Sequence, residues 1–401
     1  MSRASVNEEE EEEEGVPVII GGMVLDIHST PSIPALPRTT TPGKVLYTLG
    51  GVARNVADCV SKLGTMPFII TALGHDMPGS LLLEHCKSNG LPLQGIRRGD
   101  DIQTAVVCNM FDSQGELAAA VASVEAIEKY LTPEWIQQFK SKIRSAPVLM
   151  FDANLSPIAL EATCQVAAQY RIPVWFEPVS VTKSKRVASV AKNISFASPN
   201  EDELVAMANA VCGGSVFHPV KIDNNRIKYS PESLFRMLKP AISVVLDSGI
   251  RVLVVTLGSC GVLLCSRGLS GFKKVGRFRR NKSSDFSKQL YEIVNSLCTP
   301  DRLFNTSIDD KSNTLFAVHY PAISAIVVRL TGAGDCLVGG TLASICAGLD
   351  VMQSVAVGIA AAKAAVEAES NVPVKFNLAS IAGDARSVYF GAKAVFCKSM
   401  L

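Results

Sequence analysis

The sequence predicts an α/β protein built on one mostly parallel β-sheet with helices on both faces. Short apolar runs rich in β-branched residues alternate along the chain with longer stretches whose apolar residues recur at helical spacing. Strands that alternate with helices are typical of parallel sheets, because each crossover places a helix on a face of the sheet. The 401 residues, of which 48% are hydrophobic, are sufficient for a large core.

The first part of the chain alternates strand and helix and then changes its pattern. The predicted elements are a strand at residues 16–27, a helix at 52–62, a strand at 68–73 and a helix at 80–88. Between residues 93 and 124 the segments 104–111 and 116–121 alternate in polarity and are punctuated by glycine. This pattern predicts an antiparallel hairpin.

The second part of the chain returns to buried strands separated by helical patterns. These strands are predicted at residues 148–151, 174–176, 194–197 and 252–256. Residues 266–315 interrupt the pattern with many serines and asparagines and a basic cluster from Lys273 to Lys282. We predict a long surface insertion, whose basic cluster is either merely solvated or steers an anionic substrate such as ATP.

Composition excludes several classes of function. The net charge is only +2 and no motif for reading RNA or DNA is present, which predicts a small-molecule partner and no nucleic acid. The longest apolar runs, residues 252–257 and 323–330, are too short to cross a bilayer. The five histidines and eleven cysteines lack metal-site spacings, so we expect no zinc site and predict reduced thiols of an intracellular protein.

The segment that points most directly to chemistry is Thr331-Gly332-Ala333-Gly334-Asp335, followed by an alanine-rich apolar stretch. Small residues let a ligand approach the backbone, and the apolar periodicity after Asp335 predicts a helix start. A helix start binds phosphate through unpaired N–H groups, and a carboxylate beside it can take a proton from a hydroxyl. The segment therefore indicates phosphoryl transfer to an alcohol, the alternative being an ordinary turn with Asp335 as N-cap.

A second segment, Gly50-Gly51-Val52-Ala53-Arg54-Asn55 with later Gly64 and Gly74, has paired glycines and an asparagine four residues after the second. Together the two segments resemble the PfkB (ribokinase-like) family of sugar and nucleoside kinases. The resemblance implies a three-layer α/β/α fold in which residues 93–124 form a small β lid. The first strand lacks the Gly-x-Gly-x-x-Gly turn of dinucleotide-binding folds, and no Walker loop is present.

The resemblance assigns candidate roles on the acceptor side of the site. Asp26, at the end of the first predicted strand, would accept hydrogen bonds from sugar hydroxyls, with a strand-end cap as the alternative. Gly50 and Gly51 would lie against the sugar and Asn55 would offer its amide, unless Asn55 only caps a helix. Asp335 would be the general base, and Gly332, Ala333 and Gly334 would form the anion hole.

On the nucleotide side, Asn200-Glu201-Asp202-Glu203 resembles the family's Asn-x-x-Glu pattern. There Glu203 would orient Mg²⁺, largely through water, and Asn200 would lie near the ATP phosphates, unless the segment is only a capped helix start. Thr256, Gly258 and Gly261 match the family's Thr-x-Gly-x-x-Gly loop beside the phosphates, unless they form a simple hairpin turn.

Within the family, Phe176-Glu177-Pro178-Val179-Ser180 and Phe151-Asp152-Ala153-Asn154-Leu155 resemble the pseudouridine kinase branch, most of all its plant type. The implied reaction is ATP-dependent phosphorylation of the 5′-hydroxyl of pseudouridine, with a pseudouridine-5′-phosphate glycosidase as functional partner. The alternatives are another acceptor, such as ribose, uridine or adenosine, or a catalytically silent binding or scaffold protein. The lid edge also implies a possible homodimer.

Two positions depart from these patterns. Arg329 stands where many relatives have an aspartate that helps to hold a monovalent cation, which puts such a cation in doubt here. Ser123 stands where the branch would have an aspartate, which puts the lid contacts in doubt.

The two ends of the chain carry segments of their own. We predict an acidic disordered tail at residues 1–15, from the glutamate run Glu8 to Glu14, ahead of a kinase domain at 16–398. The final Ser399-Met400-Leu401 resembles a variant peroxisomal signal, so the expected location is the peroxisome, with the cytoplasm as the alternative.

Overall fold

A computed structural model describes residues 15–36, 38–113, 116–219, 229–268, 272, 284–299 and 314–395. The glutamate run, the basic cluster from Lys273 to Lys282 and the last three residues lie outside these ranges. The strands are β1 (Val18–Ile20), β2 (Val24–Pro31), β3 (Gly43–Gly50), β4 (Phe68–Gly74), β5 (Ile96–Gly99), β6 (Ala105–Phe111), β7 (Leu117–Ser123), β8 (Leu149–Asp152), β9 (Val174–Glu177), β10 (Phe196–Ala197), β11 (Val252–Thr256), β12 (Val262–Arg267), β13 (Leu315–Tyr320) and β14 (Lys393–Ala394).

Most of the described strands belong to one sheet in the order β5-β4-β1-β8-β9-β10-β11-β12-β13-β14. The pairs from β5 through β11 are parallel, and the pairs from β11 to β14 are antiparallel. The sequence order reverses at β1, since β4 lies on one side of it and β8 on the other. In such sheets, ligands bind outside the carboxyl ends of the strands where the order reverses.

The helices cover both faces of this sheet. Ile19 of β1 belongs to one buried apolar cluster, whereas its neighbours Val18 and Ile20 belong to the other, as alternation along a strand requires. Among the described residues, no helix is both long and apolar enough to span a bilayer. The α-helices are α1 (Val52–Lys62), α2 (Met77–Ser88), α3 (Glu125–Tyr130), α4 (Pro133–Gln137), α5 (Lys140–Ser145), α6 (Pro157–Gln169), α7 (Val181–Ser184), α8 (Glu201–Cys212), α9 (Pro231–Asp247), α10 (Asp285–Leu297), α11 (Ala333–Ala347), α12 (Val351–Val366) and α13 (Leu378–Gly391).

Local chemistry explains where several helices begin. α2 starts three residues before its predicted start, because the Asp76 side chain accepts a hydrogen bond from Gly79 N and Pro78 fits the first turn. α6 begins in the same way, with Ser156 as N-cap and Pro157 as its first residue. The predicted helix at residues 52–62 and the predicted strand at 252–256 are confirmed with their predicted limits.

The predicted first strand at residues 16–27 was wrong, because the chain divides there between two sheets. Gly21 has a φ of 152°, and a Cβ at that position would overlap the Asp152 carboxylate. The strand therefore ends at Ile20, and residues 24–31 begin again as β2 in a second sheet of order β3-β2-β6-β7. This second sheet is the lid.

The lid is larger than predicted. β6 and β7 form the expected antiparallel hairpin, but β2 and β3 also belong to the lid, and β2 pairs in parallel with β6. The lid is therefore not one inserted segment of residues 93–124. The chain passes between lid and core four times: between β1 and β2, β3 and α1, β5 and β6, and β7 and α3.

The segment 266–315 is not entirely a surface insertion as predicted. Residues 285–297 form helix α10, and Leu290 and Val294 are buried in one of the two apolar clusters, together with Phe272. Ser284 caps this helix by accepting a hydrogen bond from Ser287 N. The apolar residues of α10 recur on one face, and this periodicity is inconspicuous among the polar residues on either side.

This packing predicts that shortening a core-facing side chain of α10 will destabilise the whole protein. Leu290→Ala removes three buried carbons and should lower the free energy of unfolding by about 2–5 kcal/mol. The exposed Gln289→Ala on the same helix should change it by less than about 0.5 kcal/mol. Urea unfolding of both variants measures the difference, and equal stabilities would contradict the placement of α10 in the core.

Candidate active site

The candidate site lies at the carboxyl edge of the parallel strands, beside β1 and β8. Gly21 and Gly22 follow β1, and the carboxylate of Asp152, the last residue of β8, accepts a hydrogen bond from Gly22 N at 2.8 Å. Glu177 ends β9, and Thr256 ends β11. The site therefore occupies the position where an open α/β sheet binds its ligand.

The anion-binding turn predicted from the sequence forms the start of α11. Gly332 is the N-cap at a φ of 90°, where a Cβ would overlap the Asn371 carbonyl, so glycine is required. In the described part of the chain, the N–H groups of Gly334 and Asp335 have no hydrogen-bond partner, whereas Ala333 N donates to Leu330 O at 3.3 Å. A Cβ on Gly334 would face open space, so an anion can approach this backbone.

The alternative prediction, that Asp335 is the N-cap of this helix, was wrong. Asp335 is the third residue of α11, and its Oδ2 accepts a hydrogen bond from Asn55 Nδ2 at 2.6 Å. Burial raises the pKa of Asp335 to about 6, although the Asn55 hydrogen bond and the Arg54 charge act in the opposite direction. A carboxylate with such a pKa is suited to accept a proton near neutral pH.

Asn55 is likewise not a helix cap. Gly51 is the N-cap of α1, at a φ of 92°, and Asn55 lies four residues further along, buried and directed toward Asp335. The structure therefore brings together the two sequence segments on which the resemblance rests.

Asp26 reaches the same place from the lid. It lies within β2 rather than at the end of β1, and pairs with Thr48 of β3. Its carboxylate packs directly against Gly50, where any Cβ would overlap it. Burial raises the pKa of Asp26, and its charge in turn helps to raise the pKa of Asp335.

The predicted nucleotide-side residues also meet in the structure. Asn200 and Thr256 form an isolated parallel bridge between the ends of β10 and β11. Gly258 and Gly261 lie in the turn that joins β11 to the antiparallel β12, so the loop is also the hairpin considered as its alternative. Gly261 has a φ of 91°, and a Cβ there would overlap the Tyr320 carbonyl.

Asn200 and Glu203 form a capping box at the start of α8. The Asn200 side chain accepts a hydrogen bond from Glu203 N at 2.8 Å, and the Glu203 carboxylate accepts one from Asn200 N at 2.9 Å. The pair therefore caps the start of a helix, which was the alternative prediction for this segment. Burial raises the pKa of Glu203.

Sequence analysis did not assign a role to two acids of the site, Asp152 and Glu177. Burial raises the pKa of both, and for Glu177 the charges of Asp335 and Glu203 raise it further. The turn that directly follows Glu177 is strained: Val179 has a φ of 68°, and a 2.8 Å hydrogen bond from Ser180 N to Pro178 O closes the turn. Both acids end parallel strands, and that position was a signal for them in the sequence.

Two further residues of the site were also missed. Arg54 is buried beside Asn55, and Asn371 accepts a 3.0 Å hydrogen bond from Arg329 while it donates to Leu49 O at 3.1 Å. Arg54 has Asp58 one helical turn away, a spacing at which opposite charges can pair, and this was a usable signal. Asn371 lies in a loop and carried no signal.

An open, mostly parallel sheet, a lid beside its carboxyl edge, and a carboxylate next to unpaired helix N–H groups together define a phosphotransferase that acts on a hydroxyl group. Residues 18–286 match the model of the PfkB family of carbohydrate kinases, and the chain belongs to this family. It is 53% identical over 386 residues to the pseudouridine kinase of Arabidopsis thaliana, with 96% of this chain and 100% of that protein covered.

More distant similarities agree with the family. The chain is 28% identical over 197 residues to the pseudouridine kinase of Escherichia coli, which covers 49% of this chain and 62% of that protein. The structure superposes on Arabidopsis thaliana ribokinase complexed with ribose and ATP with a TM-score of 0.66 at 18% identity, covering 92% of this chain and 98% of the other. This likeness confirms the predicted ribokinase-like fold.

The environment of Asp335 predicts how turnover depends on pH. The carboxylate can accept a proton only when ionised, so kcat/KM should be lost as the pH falls through about 6, the raised pKa of Asp335 in the free protein. Asp335→Asn keeps the shape but cannot accept a proton, so kcat should fall about 10²- to 10⁴-fold with acceptor affinity nearly unchanged. Initial rates from pH 5 to 9 measure both effects.

Thermal unfolding of the same variant supplies the control. Protonation favours folding because folding raises the pKa of Asp335, and this contribution is lost as the pH rises through about 6. The ionised carboxylate therefore opposes folding at pH 7, and Asp335→Asn should have a higher Tm than the wild type. Near-normal turnover in a well-folded Asp335→Asn protein would refute the role of this group as the base.

Proposed function

We propose that this chain is an ATP-dependent kinase that phosphorylates the 5′-hydroxyl of pseudouridine, forming pseudouridine 5′-phosphate. The observation that carries the chemistry is the Asp335 carboxylate, which is held by Asn55 and lies beside the unpaired N–H groups at the start of α11. The identity of the nucleoside is supported by the 53% identity to the Arabidopsis thaliana pseudouridine kinase along its full length.

In the proposed reaction, Asp335 takes the proton of the acceptor hydroxyl as the oxygen attacks the γ-phosphorus of ATP. The new O–P bond forms while the bond between that phosphorus and the bridging oxygen of ADP breaks. The N–H groups of Gly334 and Asp335, at the positive end of the α11 dipole, stabilise the charge that develops on the transferred phosphoryl group. A sugar whose other hydroxyls are held by Asp26 and Asn55 presents its 5′-hydroxyl to the base in a fixed orientation.

The acids at the sheet edge fit a magnesium ion that accompanies ATP. Burial raises the pKa of Glu177, and repulsion from the charges of Asp335 and Glu203 raises it further. A divalent cation would relieve this repulsion. In the described residues no three acidic, histidine or cysteine side chains are grouped tightly enough to hold a metal. We propose that the ion is bound largely through water and phosphate, because Mg²⁺ usually keeps several waters and takes few protein carboxylates. When bound, Mg²⁺ would neutralise charge on the β- and γ-phosphates.

We also propose that turnover is independent of a monovalent cation. The Arg329 side chain is directed inward, with Nη1 at 3.0 Å from Asn371 Oδ1 and 3.5 Å from Thr48 Oγ1. A permanently charged guanidinium at this position disfavours a second cation nearby.

We further propose that two copies of the chain associate through their lids. The lid strands leave several large apolar side chains exposed: Val45, Leu46 and Tyr47 on β3, and Leu117 and Val121 on β7. Covering such a surface with a second copy removes it from water.

The product, a nucleoside 5′-phosphate with a C–C glycosidic bond, would pass to a glycosidase that cleaves this bond.

Competition between nucleosides tests the choice of acceptor. Asp26, Gly51 and Asn55 face ribose hydroxyls that uridine and pseudouridine share, so discrimination must come from the base. Pseudouridine has an extra ring N–H. If a buried hydrogen-bond acceptor of the protein pairs with this N–H, uridine leaves it unpaired, at a cost of about 1–3 kcal/mol. The value of kcat/KM should therefore favour pseudouridine by about 5- to 150-fold. N1-methylpseudouridine keeps the C–C bond but lacks this N–H, and should be as poor an acceptor as uridine.

The possible results assign the protein differently. Equal kcat/KM for uridine and pseudouridine, or a preference for ribose or adenosine, would move the chain to another acceptor within the family. Binding of ATP and nucleoside without turnover would make it a silent family member.

We propose the peroxisome as the location, on the basis of Ser399-Met400-Leu401, which lie outside the described residues. A fluorescent protein fused to the N-terminus, so that the C-terminus stays free, should concentrate in peroxisomes of plant cells. The matched control is the same fusion with the last three residues deleted, which should remain diffuse. A diffuse signal from both fusions would leave the cytoplasm as the location.

A further inference from the structure

Arg54 is a buried charge for which the proposed reaction has no role so far. Its side chain is only 3% exposed. The guanidinium donates hydrogen bonds to the carbonyl oxygens of Leu49 and Gly50, to Asn55 Oδ1, and to the carboxylate of Asp58 at 3.2 Å. It therefore lies directly beneath the glycine pair that precedes α1, and one of its contacts is to a residue that touches the base.

The Asn55 amide has two chemically different ends, and each has one partner. Its oxygen accepts from Arg54 Nη2, and its nitrogen donates to Asp335 Oδ2 at 2.6 Å. Rotating the amide by half a turn would place its oxygen against the carboxylate and its NH₂ group against the guanidinium. Both contacts would then be repulsive, so the guanidinium fixes which end of the amide faces the base.

We propose that Arg54 is a positioning residue for the catalytic base: it holds the Asn55 amide so that its NH₂ group donates to Asp335. The inference rests on the proposed function only in that Asp335 is the base, and it does not depend on which nucleoside is the acceptor. Through Asn55, Arg54 orients the carboxylate and leaves its second oxygen for the acceptor hydroxyl.

Arg54 also affects the charge on the base. The groups that face Asp335 are Asn55 and Arg54 from α1, Asp26 from β2, Asp152 from β8 and Glu177 from β9. Burial and the charges of Asp152 and Asp26 favour the protonated form of Asp335, whereas the Arg54 charge favours the ionised form. Arg54 therefore keeps a base that is crowded by acids ionised at neutral pH.

The guanidinium is itself held from the far side. Asp58 Oδ2 contacts Arg54 at 3.2 Å, Lys62 Nζ at 3.0 Å and His85 Nε2 at 3.4 Å. A lysine at position 54 would keep the charge but could not hold Asp58, the Leu49 carbonyl and Asn55 at once, because it lacks the planar fork. Charge and orientation can therefore be separated by substitution.

The test compares Arg54→Lys, Arg54→Met, Asn55→Ala and the double variant Arg54→Met/Asn55→Ala in kcat from pH 5 to 9. Arg54→Lys should keep the pH midpoint of the wild type and lower kcat about 10-fold, because only orientation is lost. Arg54→Met should lower kcat similarly and raise the midpoint by about one pH unit. At pH 9, where Asp335 is ionised in every variant, the double variant should be no slower than Asn55→Ala within about threefold.

Lys62→Met is the matched control, because it removes another partner of Asp58 from the same helix without touching Asn55. Its kcat and pH midpoint should match those of the wild type. Losses that multiply in the double variant at pH 9, or an unchanged kcat in Arg54→Lys, would overturn the proposal. If Arg54→Met fails to fold, the double variant Arg54→Lys/Asn55→Ala provides the same test. Its kcat should also not fall below that of Asn55→Ala.

The outcome can be separated from that of the proposed function. If the wild type phosphorylates another acceptor, the same comparison is made with that acceptor. If it phosphorylates none, NMR of the Asp335 carboxyl carbon and the Asn55 side-chain amide replaces turnover. In the wild type, the hydrogen bonds of the Asn55 amide should slow the exchange of its protons with solvent. Arg54→Lys should make this exchange fast without moving the titration of Asp335, and unchanged exchange would overturn the proposal.

Discussion

The hydrogen bond from Asn55 to Asp335 is the interaction on which the site depends. It joins residues 280 positions apart in sequence and connects the first turns of two helices, α1 and α11, that begin at the same edge of the sheet. Each helix starts at a glycine with positive φ, Gly51 and Gly332, so neither start could take this shape with a larger residue. The parts of the site proposed for the acceptor and for the phosphate are thereby fixed relative to each other.

Desolvation raises the pKa values of the acids in this site and also makes their ionised forms energetically unfavourable. Burial raises the pKa of Asp26, Asp152, Glu177 and Asp335, so the edge of the sheet collects acids that water would otherwise stabilise. Such a site stores unfavourable charge that a protein without substrates must tolerate. Under the proposed function, the magnesium ion would offset part of this charge, and the acceptor hydroxyl would supply a proton to Asp335.

The sequence was most informative where chemistry depends on short segments. The turn before α11, the glycine pair and Asn55 could all be identified, because each places specific atoms within a few residues. The partner of Asn55 could not be identified, since no local pattern brings residues so distant in sequence into contact. Arg54 was overlooked because its role depends on burial, which the glycine motif around it does not express.

The errors in the fold have related causes. The run of residues 16–27 has the composition of one long strand, and only the contact of Gly21 with Asp152, a residue from β8, ends it at Ile20. Helix α10 was taken for surface because polar residues surround its few buried side chains, Leu290 and Val294 among them. In both cases tertiary contacts outweighed local composition.

The four chain crossings between lid and core have a mechanical consequence. A lid joined to the core by one connection could rotate freely, whereas four connections restrict its motion. Gly21 and Gly22 lie in the first connection, and Gly51 lies in the second. Under the proposed function, an acceptor bound both to Asp26 on the lid and to Asn55 on the core would hold the lid closed. A single water molecule could not make both contacts, so under this proposal the lid would stay closed longer when a sugar is bound.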